Sequence, residues 1–157
     1  MKKIFPLTVI MLLAIVPAAL AAGTVTVTQY QLSADKNQLV IKLACVGDAN
    51  DGSVPATTIN TAAISAGLPK EYQASGFYFY EIWSVAGITA PDAADVNVVD
   101  ALGSEIYDDG ADSLIQATGT TEGTVDKYRG VNSVLTVTVT NQATVSATFD
   151  IYIKLVR

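Results

Sequence analysis

The sequence predicts a mainly β chain folded as a single antiparallel β-sandwich of jelly-roll or Ig-like type, with a small barrel as the alternative. Three observations carry that expectation. The composition favours Val, Thr and Ala over strong helix formers. Apolar and polar residues alternate with period two in several short runs. Turn residues separate those runs: Asp51-Gly52, Gly87 with Pro91, Leu102-Gly103, Asp109-Gly110 and Asn141-Gln142.

In chain order, the alternation marks Thr24 to Thr28, then the apolar run Leu39 to Val46, then an aromatic strand from Gly76 to Val85, then Asp95 to Val99. Val134 to Thr140 repeats the Val/Thr alternation. Ala147 to Leu155 is the strongest strand, sending Ala147, Phe149, Ile151, Ile153 and Leu155 to one face and Thr148, Asp150 and Lys154 to the other. Only a few residues separate these last two segments, which predicts an antiparallel hairpin. Strong strands near both ends of the chain are expected to offer sheet edges. Ile59 to Ala66 and Ala111 to Ala117 could each hold a helical turn, but neither is long enough for an independent helix.

The first residues read as a bacterial-type secretory leader. Lys2 and Lys3 precede an uncharged apolar stretch from Ile4 to Leu20, and Ala19-Leu20-Ala21 supplies the small residues a signal peptidase needs. Cleavage is expected after Ala21 or one residue later. The competing reading, an uncleaved anchor, is opposed by an apolar run shorter than the ~20 residues of a span and by Pro17 near its end. The expected organisation is therefore a cleaved leader at 1–21 and one domain at 22–157. Loss of Lys2 and Lys3 leaves 7 Lys and Arg against 15 Asp and Glu, moving the net charge from −6 to −8. Such a surface repels phosphate backbones, so no nucleic-acid partner is expected, and no membrane contact after cleavage.

The chain has no histidine and one cysteine, Cys45. That removes the commonest general base and zinc ligand and argues against haem or iron–sulfur chemistry. No internal disulfide can form, so the fold must rest on its core, and Cys45 in an apolar strand reads as a small buried hydrophobe. Carboxylate-pair hydrolysis needs only two acids across a cleft, but most acids here lie in turns, where Asp serves local backbone bonds. Glu81 is the exception. Strict alternation places it with Phe77, Phe79 and Trp83, so it should mark the strand's emergence from the core or pair with Lys or Arg. No catalytic residue and no enzyme activity are expected.

Two acidic turns are candidates for calcium. Asp48, Asn50 and Asp51 lie in one; Asp108, Asp109 and Asp112 lie in the other. The first lacks the ligand spacing of a known calcium loop, the second concentrates three carboxylates in five residues, and a plain acidic turn is the default for both. No other cofactor is expected. Tyr78, Tyr80 and Trp83 are the candidates for a binding or subunit surface, with core or subunit contact favoured over a sugar-stacking platform.

A resemblance adds to this. Gly76-Phe77-Tyr78-Phe79-Tyr80, Ala90-Pro91, the run from Ala94 to Gly103 and Gly110-Ala111 are similar to small phage and prophage structural proteins. Those proteins carry a Gly-aromatic strand, a Pro turn, a strand-turn ending in Gly, a Gly/Ala-rich loop and a terminal β-hairpin. The resemblance covers residues 76–117 and 135–157 and consists of strand and turn signals without chemistry. It implies a virion-type structural role; the secretory leader departs from that pattern and favours use at the cell surface or outside the cell, with the periplasm as the alternative. The expected function is thus an exported, non-enzymatic structural or assembly domain, partnered by itself as a homo-oligomer or by a larger surface assembly. The rival is a carbohydrate- or cell-surface-binding module, assisted by calcium.

Overall fold

A computed structural model describes residues 22–32, 37–59, 76–110, 113–125, 128–131 and 134–157. Among them the chain forms ten strands and no helix: β1 (Thr24–Leu32), β2 (Gln38–Val46), β3 (Thr57–Ile59), β4 (Phe77–Ala86), β5 (Asp95–Asp100), β6 (Glu105–Asp108), β7 (Thr120–Gly123), β8 (Arg129–Val131), β9 (Leu135–Thr140) and β10 (Thr148–Val156). They make two antiparallel sheets. The larger runs β1-β2-β10-β4-β7, with β8 also paired to β4; the smaller runs β3-β9-β5-β6. The architecture is the expected sandwich, and the two sheets stay separate, which sets the barrel aside. Of the two stretches read as helical turns, 60–66 and 111–112 lie outside the described residues. Ile115 forms a β-bridge with Ala94.

Side-chain alternation builds the core between the sheets. Leu39, Ile41, Leu43 and Cys45 of β2, Phe149, Ile151, Ile153 and Leu155 of β10, and Phe77, Phe79 and Ile82 of β4 face inward from the large sheet. Val96, Val98, Ile106, Leu135 and Val137 meet them from the small one. Cys45 is buried, as its apolar strand predicts, and burial pushes its thiol pKa up to about 12. A thiol held neutral in this way is a poor nucleophile.

Two expectations from sequence are corrected. The last two strands are not a hairpin: β9 pairs with β3 and β5 in the small sheet, while β10 pairs with β2 and β4 in the large one. The connection arches across the sandwich, because alternation fixes which face of a strand is apolar and not which strand lies beside it. Gln142, buried in that connection, accepts a hydrogen bond from the Asp92 amide (3.0 Å) and donates to the Thr144 carbonyl (2.9 Å). The Asp92 carboxylate returns the contact, accepting from the Ala143 amide (3.0 Å) and the Thr144 hydroxyl. As a result β10 is a central strand, paired on both sides, and only β1 of the two terminal strands lies at an edge.

The second correction concerns β4. Its pairing with β10 steps from Lys154↔Glu81 to Leu155↔Phe79, so Tyr80 is an extra, bulged residue. The bulge reverses the alternation beyond it. Glu81 and Trp83 therefore leave the Phe77 and Phe79 face, and Ile82 and Ser84 enter the core in their place. The Ser84 hydroxyl, nearly inaccessible, is satisfied by donating to the Leu114 carbonyl at 2.6 Å.

Candidate functional site

The bulge gathers Tyr78, Tyr80 and Trp83 on the outer face of the large sheet. β10 contributes Tyr152 and Lys154 to the same face, β2 contributes Lys42, and the segment before β8 contributes Tyr128. The strand order arranges these into two cross-strand stacks. In one, Tyr152 of β10 lies between Lys42 of β2 and Trp83 of β4, with the Trp83 and Tyr152 rings 5.0 Å apart and within 2° of parallel. The Lys42 ammonium stands 5.6 Å from the Tyr152 ring centre. In the other, Tyr80 of β4 lies between Lys154 of β10, 5.0 Å away, and Tyr128, 5.4 Å away and 3° from parallel. Each lysine is neutralised in place: Lys42 by Asp150 at 2.6 Å and Lys154 by Glu81 at 3.3 Å. The hydrogen bond that Lys42 donates to Asp150 raises the Lys42 pKa.

A sugar-stacking platform presents ring faces to solvent, whereas here Tyr80 and Tyr152 each have a ring on one side and an ammonium on the other. An apolar hollow lies beside the second stack. Tyr78, Tyr80, Tyr128 and Val156 line that hollow, of about 290 Å³, and the three tyrosines are 50%, 39% and 64% exposed. Sequence reading found Tyr78, Tyr80 and Trp83 but missed Tyr128, Tyr152, Lys42 and Lys154. The β2 and β10 members were readable from alternation. Their meeting with β4 was not.

The acidic turns are tied to local structure. Asp48 accepts from the Asn50 amide (2.6 Å) and the Asn50 side chain (3.0 Å), and Asp51 accepts from the Ser53 amide (2.9 Å). Hydrogen bonding from the Ser53 side chain, and then from its amide, holds the Asp51 pKa below the ordinary carboxylate value. Asp108 accepts from the Gly110 amide at 3.1 Å. Asp112 lies outside the described residues. Among the described residues no three His, Cys, Asp or Glu side chains converge as metal ligands.

Asp109 behaves differently. It sits beside a cleft of about 380 Å³ between the β6 and β7 edges, whose walls include Tyr107, Asp108, Leu114, Glu122 and Thr124. One carboxylate oxygen accepts from the Val96 and Leu114 amides, both at 2.8 Å; the other is buried without a partner among the described residues. Burial, reinforced by nearby Asp95 and Asp108, outweighs the two amides and raises its pKa. Because the folded protein holds this proton more tightly than the unfolded chain, Asp109's contribution is largest in acid. It declines as pH rises through the range just above the ordinary Asp value of 3.8. Urea titrations of wild type and Asp109→Asn across pH 3.5 to 6.5 should therefore show wild type losing stability relative to the variant as pH increases. A difference that stays constant with pH would contradict the assignment.

The chain matches no protein-family model and no curated protein. Among solved structures it is similar to a chain described as the cyanophage Pam1 capsid asymmetric unit, with 18% identity, coverage of 86% of each chain and a TM-score of 0.41.

Proposed function

We propose that this protein is an exported, non-enzymatic structural domain that docks, through the outer face of its large sheet, onto a larger assembly at or beyond the cell surface. One observation carries the reading. A tyrosine-lined hollow on the outer face of the large sheet is accompanied by ion pairs already closed within the protein. Tyrosine and tryptophan are the residues protein interfaces favour, and the two lysines of this face enter a contact already paired with carboxylates. The stacking of Tyr80 on Tyr128 and of Trp83 on Tyr152, with a lysine beside each pair, disfavours the rival carbohydrate-binding module. Export rests on Lys2, Lys3, the apolar stretch and the Ala19-Leu20-Ala21 site.

The test is the native mass of the protein in the exported fraction of the cells that make it. It should travel in particles far larger than a free domain of about 14 kDa, and Tyr80→Asp should release it from them. A free monomer in that fraction, together with saturable quenching of Trp83 fluorescence by a soluble polysaccharide, would instead establish the carbohydrate-binding rival.

A further inference from the structure

β1 is an edge strand unlike the others. The remaining edges among the described residues are short and, except β3, charged: β3 has three residues, β6 carries Glu105 and Asp108, β7 carries Glu122, and β8 has three residues including Arg129. β1 runs for nine residues, Thr24 to Leu32, without a charge or a proline, and its bulge lies only at the far end, between Tyr30 and Leu32. Short length, charge, proline and bulges are the devices that keep edges from pairing, and the first half of β1 has none of them. Among the described residues only β2 pairs with β1.

The sequence of this edge also specifies what fits it. Thr24-Val25-Thr26-Val27-Thr28 reads the same in both directions about Thr26. Thr24, Thr26 and Thr28 are exposed on the outer face, and Val25 and Val27 are partly buried against the core. An antiparallel second copy related by a twofold axis at Thr26 matches threonine to threonine on one face and valine to valine on the other. Such like pairs are favourable across antiparallel strands. A chain of net charge −6 gains no like-charge contact there. The single ionised side chain of β2, Lys42 opposite Thr28, is paired with Asp150 and lies three strand spacings, roughly 14 Å, from the equivalent strand of the other copy.

We infer that the protein pairs with a second copy of itself through β1, antiparallel and centred on Thr26, joining two large sheets into one. This rests on the assembly role proposed above and names its first partner. Because the twofold axis stands normal to the sheet, both tyrosine-lined faces then lie on the same side, as a double-width docking surface.

The experiment is sedimentation of the purified protein lacking residues 1–21, which should be a dimer at about 50 µM. Thr26→Lys places like charges opposite each other at the axis and should weaken the dimer at least about tenfold. Far-UV circular dichroism should remain that of the folded chain. Thr26→Glu should also be monomeric alone, and an equimolar mixture of the two variants should regain the dimer; Thr58→Lys, an equal charge on β3, should change nothing. A wild-type dimer that survives Thr26→Lys, or a mixture that stays monomeric, would overturn the β1 contact and leave the docking role standing. A wild-type monomer that is nevertheless found in large particles in the exported fraction would do the same. Loss of those particles themselves is what would remove the docking role.

Discussion

Truncating Phe79 to alanine should lower the unfolding free energy by about 3–5 kcal/mol, the largest effect of any single side-chain truncation expected here. Phe79 is completely inaccessible on the inner face of β4, and its ring stacks on Tyr107 of β6 at 6.0 Å and 20°. It therefore ties the large sheet to the edge of the small one. Neighbouring strands limit how far the gap can close, so most of the lost contact would persist as a void. The control is one residue away: Tyr78, on the opposite face and half exposed, should cost no more than about 0.5 kcal/mol when truncated. Urea unfolding of both variants measures the contrast. Equal destabilisation would mean that the two faces of β4 have been assigned wrongly.

Gly52→Ala should be nearly as damaging, at roughly 2–5 kcal/mol, for a backbone reason. Gly52 has φ +76°, in the left-handed region, and a Cβ there would lie 2.6 Å from the Ala143 carbonyl oxygen and 2.7 Å from that of Thr144. Those atoms belong to the arch between β9 and β10, held by Asp92 and Gln142, so they cannot move aside without loosening that clamp. Gly103 separates the two causes. It has the same φ, +76°, with nothing within 4 Å of its virtual Cβ, so Gly103→Ala should cost only the conformational share, about 1–2 kcal/mol. If Gly52→Ala costs no more than Gly103→Ala in thermal and urea unfolding, the loop around Gly52 does not press on the arch.

These expectations mark where the sequence was legible. Alternation and apolar runs located β2, β5, β9 and β10 to within a residue or two, and alternation assigned the inner face of β10 correctly, because period two is set by backbone geometry. It failed on β4 past Tyr80. A one-residue bulge leaves composition untouched and still exchanges the two faces, so Glu81 was placed with Phe77 although it pairs with Lys154 outside. It also failed on the connection after Asn141, where a run short enough for a hairpin instead crosses between sheets.

Composition and local pattern were enough to read a mainly β, acidic chain with a single cysteine, its period-two runs and turn glycines in place. Those properties follow from local residue chemistry and period. Only the tertiary structure decided which strands are neighbours. Strand order moved β10 to the centre, left β1 as the long uncharged edge, and brought Lys42, Tyr152 and Trp83 into one stack from three separate parts of the chain. Pairing partners are chosen by which combination buries all the apolar faces together, a condition on the whole fold that no single segment encodes.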